Sequence, residues 1–209
     1  MIMNYWTLMH NLQFKYDEIE KCHQGDVIIN YGIIHGSETI VFIKLNYGST
    51  IYDYRYVKTA REVHDIYNCT VIVGSNPNGY KNDFESEMKF VQAYAEKQNL
   101  GNLQIYYMGF SIGASLGMIH GYKYPFIKRM LFLDGSLFRF PEEIINGIRS
   151  FSGEKITFVY GKEGPSKRQS RMIKKLEKEN VSFYFYRRLA YLFSNSSLSF
   201  KELLEKYLF

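Results

Sequence analysis

Gly109-Phe110-Ser111-Ile112-Gly113 is the stretch whose reading decides the fold. It has the form G-x-S-x-G. It follows directly on an apolar run from Leu103 to Met108 and opens a helix-like segment from Ala114 to Tyr122. A strand, a sharp turn and a helix are the context in which this motif carries a mechanism. The flanking glycines let the turn tighten, and the serine oxygen then projects from its apex. A serine so placed needs a base, usually a histidine held by a carboxylate. The 5 histidines (His10, His23, His35, His64 and His120) all lie at or before position 120.

Around the motif, strand-like and helix-like segments alternate, the pattern of a largely parallel sheet with helices on its faces. Residues 26–34 and 39–45 are apolar and β-branched, and His35-Gly36-Ser37-Glu38 between them reads as a hairpin turn. A helix is expected near Tyr54 to Tyr67, then a short buried strand from Thr70 to Val73 and a loop from Gly74 to Gly79. Asp83 is placed to cap a helix running to about Gln98, with Met88, Val91 and Ala95 on one face. Met130 to Leu133 and Ile156 to Tyr160 read as strands, and Pro141 starts a short helix where its missing N–H costs little. A helix over 166–180, a last strand over 182–186 and a helical end from Lys201 to Phe209 complete the pattern.

At 209 residues the chain is expected to form a single domain, 1–209. Hydrophobic residues make up 46%, which excludes a disordered chain. No apolar run approaches the roughly 20 residues of a membrane span. Met1 to His10 has no basic start, long apolar stretch or small-residue cleavage site, so a cytoplasmic location is expected. Cys22 and Cys69 cannot build a disulfide framework, and Cys69 heads a strand-like run as a small buried hydrophobe. Neither a metal-ligand spacing nor a cofactor motif is visible, and no cofactor is expected.

The net charge of +5 is uneven, with the basic excess concentrated between Lys162 and Lys178. Lys167, Arg168, Arg171, Lys174 and Lys175 flank an apolar stripe of Met172, Ile173 and Leu176, the solvated face of an amphipathic helix. Confined there without a nucleic-acid motif, this charge does not point to nucleic-acid binding.

The layout resembles the α/β-hydrolase superfamily from about Asp26 to the C-terminus, and the segment at Gly109 to Gly113 is its most specific match. The resemblance implies a three-layer fold, a mostly parallel sheet with helices on both faces. The segment between Leu133 and Ile156 is too short to hold a large lid domain. It puts Ser111 at the nucleophile position and the backbone N–H of Ile112 at the oxyanion site. A second N–H comes from the loop after Leu45, at Tyr47. Asn46 stands where many relatives have a histidine. The family's acid and histidine positions fall on Gly164 and Tyr191, so both triad partners of the serine are lost. Tyr191 is no simple replacement, because a phenol titrating near 10 is a poor base at neutral pH. Among the histidines, only His10 and His23 lie in a segment that this layout does not place. Asp134 reads as a turn former before Gly135.

Two functions follow. One is a serine hydrolase of small esters, thioesters or amides using Ser111 with an unidentified base, His10 or His23. The other is a non-catalytic pseudo-hydrolase that keeps the fold as a ligand-binding or protein-interaction module. Either reading implies a small-molecule ligand or substrate in a pocket above Ser111. Tyr47, Tyr52, Tyr54 and Tyr56 crowd the segment beside it. They read as amphipathic packing at the edge of the core or as a stacking wall for a ligand.

Overall fold

A computed structural model describes residues 15–135, 140–160, 176, 180–185, 204–206 and 208–209. The strands are β1 (Glu18–Gln24), β2 (Val27–Ile34), β3 (Ser37–Lys44), β4 (Cys69–Gly74), β5 (Gln104–Phe110), β6 (Ile127–Leu133), β7 (Lys155–Tyr160) and β8 (Val181–Phe185). The helices are α1 (Tyr54–Tyr67), α2 (Phe84–Lys97), α3 (Ile112–His120) and α4 (Pro141–Ser150). The strands form one 8-stranded sheet in the order β1-β2-β4-β3-β5-β6-β7-β8. From β4 to β8 neighbouring strands run parallel; β1 and β2 are joined antiparallel at the edge.

The central strands are buried on both faces, as parallel strands covered by helices must be. Ile40 and Phe42 of β3 face a core shared with α2, α3 and α4, while Val41 and Ile43 face a core shared with α1, Leu204 and Leu208. This alternation makes the three layers. Local chemistry sets the helix ends. The Asp83 side chain accepts from the N–H groups of Glu85 and Ser86 at 3.1 and 3.2 Å, capping α2. Asp53 caps α1 in the same way, and Asn68 ends it in the left-handed region at φ 51°. Pro141 occupies the first turn of α4.

One expectation fails. The segments 26–34 and 39–45 do not pair as a hairpin; β4 lies between them, antiparallel to β2 and parallel to β3. The hairpin partner of β2 is β1, through Gly25 at φ 60° and Asp26. The turn-like His35-Gly36 instead passes under β4. A Cβ at Gly36 would overlap the backbone of Cys69, so the crossing needs glycine. The strand β1, Glu-Ile-Glu-Lys-Cys-His-Gln, is too polar to announce itself in the sequence. The expected helix over 166–180 falls, apart from buried helical Leu176 and the turn at Asn180, outside the described residues.

Candidate active site

The strand order locates the site before any side chain does. Adjacent β3 and β5 lead into helices on opposite faces, α1 and α3, so their following loops diverge. A crevice opens at the carboxyl ends of two such strands, where ligands of open α/β sheets bind. Its two sides are the loop after Lys44 and the turn at Ser111, held level by the pairing of Lys44 with Gly109.

Ser111 sits at φ 49° and ψ −108°, between β5 and α3. This is outside the left-handed helical basin and is costly for any residue with a Cβ. Two features enforce it. The Ser111 N–H donates to Leu133 O at 2.8 Å, tying the turn to β6. Both flanking positions also leave no room for a side chain: a Cβ at Gly109 would overlap the Ala114 backbone, and one at Gly113 would overlap the carbonyl oxygens of Lys44 and Leu45. The motif therefore does more than tighten a turn, since Gly113 lets the start of α3 seat directly on the end of β3. Strained backbone of this kind gathers at binding and catalytic sites.

The loop after β3 is also tightly specified. Ser49 N–H donates to Asn46 O at 3.1 Å, Gly48 N–H to Asn76 O at 3.0 Å, and Asn76 Nδ2 to Leu45 O at 3.1 Å. The Tyr47 N–H, the second expected oxyanion donor, donates to the Asn46 Oδ1 at 2.8 Å. Asn46 must swing away before this N–H can meet an oxyanion. Ile112, the other expected donor, opens α3, whose first N–H groups have no partner within the helix. Between these two positions lies a cavity of about 370 Å³, walled by Tyr47, Ile112 and the loop Pro77 to Lys81. The volume is within the range of about 300–1,000 Å³ usual for small-molecule sites. Of the four clustered tyrosines, Tyr56 is buried, whereas Tyr47 and Tyr52 are exposed and Tyr47 walls the cavity.

Solved structures share this architecture throughout. Est1E from Butyrivibrio proteoclasticus superposes with a TM-score of 0.63 at 11% identity, covering 80% of this chain and 87% of that one. A dienelactone hydrolase from Anabaena variabilis gives 0.63 at 12%, covering 92% and 98%. An alpha-beta serine hydrolase homologue from Coxiella burnetii gives 0.61 at 14%, covering 91% and 93%. The chain has the α/β-hydrolase fold. No family model matches the sequence, and no curated protein does.

Within the α/β-hydrolase fold, four of the five histidines are placed, none beside Ser111. His35 and His64 lie at the opposite edge of the sheet, where His35 Nδ1 meets the Tyr94 hydroxyl at 2.7 Å and His64 Nδ1 lies 3.0 Å from Cys69 O. His120 ends α3, about 13 Å from Ser111 at 1.5 Å per residue. Its ring packs by Phe84, and burial pushes its pKa down. His23 is on β1, four strands from β5 and so about 19 Å away sideways. His10, Gly164 and Tyr191 lie outside the described residues. Among the described residues the Ser111 hydroxyl makes no hydrogen bond. Asp134 follows β6 beside the elbow at φ 50°, before Gly135, and its N–H donates to Val159 O at 2.9 Å. Cys69 is buried as expected, and burial pushes its thiol up to about 12.

One feature beneath the site was missed. Lys44, the last residue of β3, and Glu87 of α2 are both wholly buried and form an ion pair. Lys44 Nζ also donates to Ser75 O at 2.7 Å, and Asn82 Nδ2 donates to Glu87 Oε1 at 2.6 Å. Burial pushes the Lys44 amine down and the Glu87 carboxyl up, and their mutual attraction opposes both shifts. The network clamps both ends of the loop 75–82 that walls the cavity. Its sequence signal was available: Glu87 falls on the apolar stripe of Phe84, Met88 and Val91, and Lys44 ends an apolar strand. A charge at a core position requires a buried partner, but the sequence does not say which one. Among the described residues no group of acidic, histidine and cysteine side chains is arranged to hold a metal ion, and no helix is long and apolar enough to cross a membrane.

Proposed function

We propose that this protein binds a small ester, thioester or amide with its carbonyl over Ser111. In this reading it is a serine-hydrolase-like protein whose triad is incomplete at Gly164 and Tyr191. The observation that carries the reading is the strained Ser111 elbow, which opens beside a cavity while its hydroxyl makes no hydrogen bond among the described residues. A turn costing about 1–3 kcal/mol persists only where the surroundings enforce it, and such strain gathers at binding and catalytic sites. The similar structures include a dienelactone hydrolase and a serine hydrolase homologue, which supports acyl compounds as ligands. Without an imidazole, Ser111 stays a neutral alcohol and a weak nucleophile. Oriented N–H groups alone still accelerate hydrolysis about 10³–10⁴-fold over water, so slow background turnover is compatible with this reading.

A second reading is an efficient serine hydrolase with a histidine base. With His23, His35, His64 and His120 placed away from Ser111, that base is His10. Labelling with a fluorophosphonate, read by intact mass with Ser111→Ala as control, separates the two. The absence of rapid labelling in folded protein is the expected result. Rapid labelling that is lost in both Ser111→Ala and His10→Gln overturns it in favour of the second reading. Gain of ester turnover in the Gly164→Asp/Tyr191→His double variant supports the degenerate triad directly.

A further inference from the structure

We infer that the cavity beside Ser111 selects ligands carrying an anionic group, and that Lys81 is the residue that selects them. This deepens the proposed function and rests on it. The cavity is lined by Tyr47, Ile112 and the five residues from Pro77 to Lys81. Among the described residues Lys81 is the one charged side chain in that lining, which includes no carboxylate. Among the described residues Lys81 forms no ion pair, whereas Lys58, Lys89 and Lys97 on the helices all do.

Lys81 is displayed on a built support and not on a loose loop. It ends a single 3₁₀ turn, Gly79–Lys81, in which its own N–H donates to Asn78 O at 3.1 Å and the Asn82 N–H to Gly79 O at 3.3 Å. The next residue, Asn82, is buried and anchored on Glu87, so the turn is pinned to the buried Lys44 pair. Gly79 at φ 58° brings the turn against the Tyr47 ring, where a Cβ would sit 3.0 Å from the ring edge. Tyr80 is fixed edge-on to Phe140, with ring centres 5.2 Å apart. The cavity thus has aromatic walls from Tyr47 and Tyr80, a cation from Lys81, and the positive end of α3 at Ile112. Among the described residues all its fixed charge has one sign. A ligand fitting it carries a carbonyl towards Ser111, a short apolar body, and a carboxylate or phosphate towards Lys81.

The test uses the full chain carrying Ser111→Ala, so that binding is read without turnover. Calorimetry and ligand-detected NMR compare monomethyl glutarate, its neutral isostere dimethyl glutarate, and a methyl ester ending in a phosphate. The anionic esters should bind about tenfold more tightly than the neutral one, the effect of one charge-assisted hydrogen bond at a partly open site. Adding Lys81→Ala should abolish this preference without losing the neutral ester, Lys81→Arg should keep it, and raised salt should shrink it. A preference for carboxylate or for phosphate identifies the anion, and either supports the inference. Equal binding of charged and neutral esters, or a preference that survives Lys81→Ala, overturns the inference and leaves the proposed function standing. Failure of every ester to bind overturns both.

Discussion

Replacing Ser111 by glycine should stabilise the protein, and replacing it by alanine should not. Ser111 is held at φ 49° and ψ −108° by its N–H bond to Leu133 O and by the seating of Gly113 on β3. Alanine keeps the Cβ and therefore keeps the strain. Glycine removes a cost of about 1–3 kcal/mol. Against this stands the larger backbone entropy that glycine loses on folding, about 0.5–1 kcal/mol. No side-chain bond is lost, since the Ser111 hydroxyl makes none among the described residues. Those two terms leave a net difference of about 0–2.5 kcal/mol between Ser111→Gly and Ser111→Ala, centred near 1 kcal/mol in favour of glycine. For a domain of this size a gain of about 1 kcal/mol raises the Tm by roughly 2–4 °C. Scanning calorimetry on the natural protein and both variants measures it, with near-ultraviolet circular dichroism confirming a common fold. A glycine variant no more stable than the alanine variant would refute the idea that the elbow stores strain.

Three further outcomes follow from the same packing. Gly113→Ala drives a methyl into the carbonyl oxygens of Lys44 and Leu45 and should cost about 1–3 kcal/mol, read as a lower urea midpoint at unchanged slope. Lys44→Met leaves Glu87 buried without its partner and should cost about 3–5 kcal/mol, while Lys44→Met/Glu87→Leu recovers most of that loss; an additive double variant would refute the pairing. His120, whose pKa burial pushes below that of the unfolded chain, takes up its proton more readily on unfolding. Its contribution is therefore fully present above the ordinary imidazole value of about 6.5 and is lost as pH falls towards the lower folded value. His120→Phe should flatten the fall in stability over that window in pH-dependent urea titrations.

Much of this site was legible because its signals are local. The glycines of G-x-S-x-G, the apolar run before it and the helix after it are covalent neighbours, and a tight turn is their shared solution. Asp83 announces α2 because a cap acts over three residues, and Pro141 announces α4 because its ring fixes the first turn. Alternating periods of two and 3.6 gave the layered class with its buried parallel strands. Ser111 and Ile112 stand at the crevice, while their roles and the loss at Gly164 and Tyr191 rest on the sequence alone.

Sequence by itself thus determined most of the strands and helices, though not the polar β1, where the sharp turn at Ser111 lies, and that no histidine follows position 120. Tertiary structure alone decided which strand pairs with which. The edges of β2 offer the same N–H and C=O groups to any partner, so nothing in residues 26–45 shows that β4 inserts between β2 and β3. It also decided that Lys44 meets Glu87 across 43 residues, that Asn46 covers the Tyr47 N–H, and that Lys81, which forms no ion pair among the described residues, stands in the wall of a cavity beside Ser111. These are encounters between residues distant in the chain or choices among side-chain rotamers. Short-range propensity carries no record of either, because their energies exist only once the layers have closed around them.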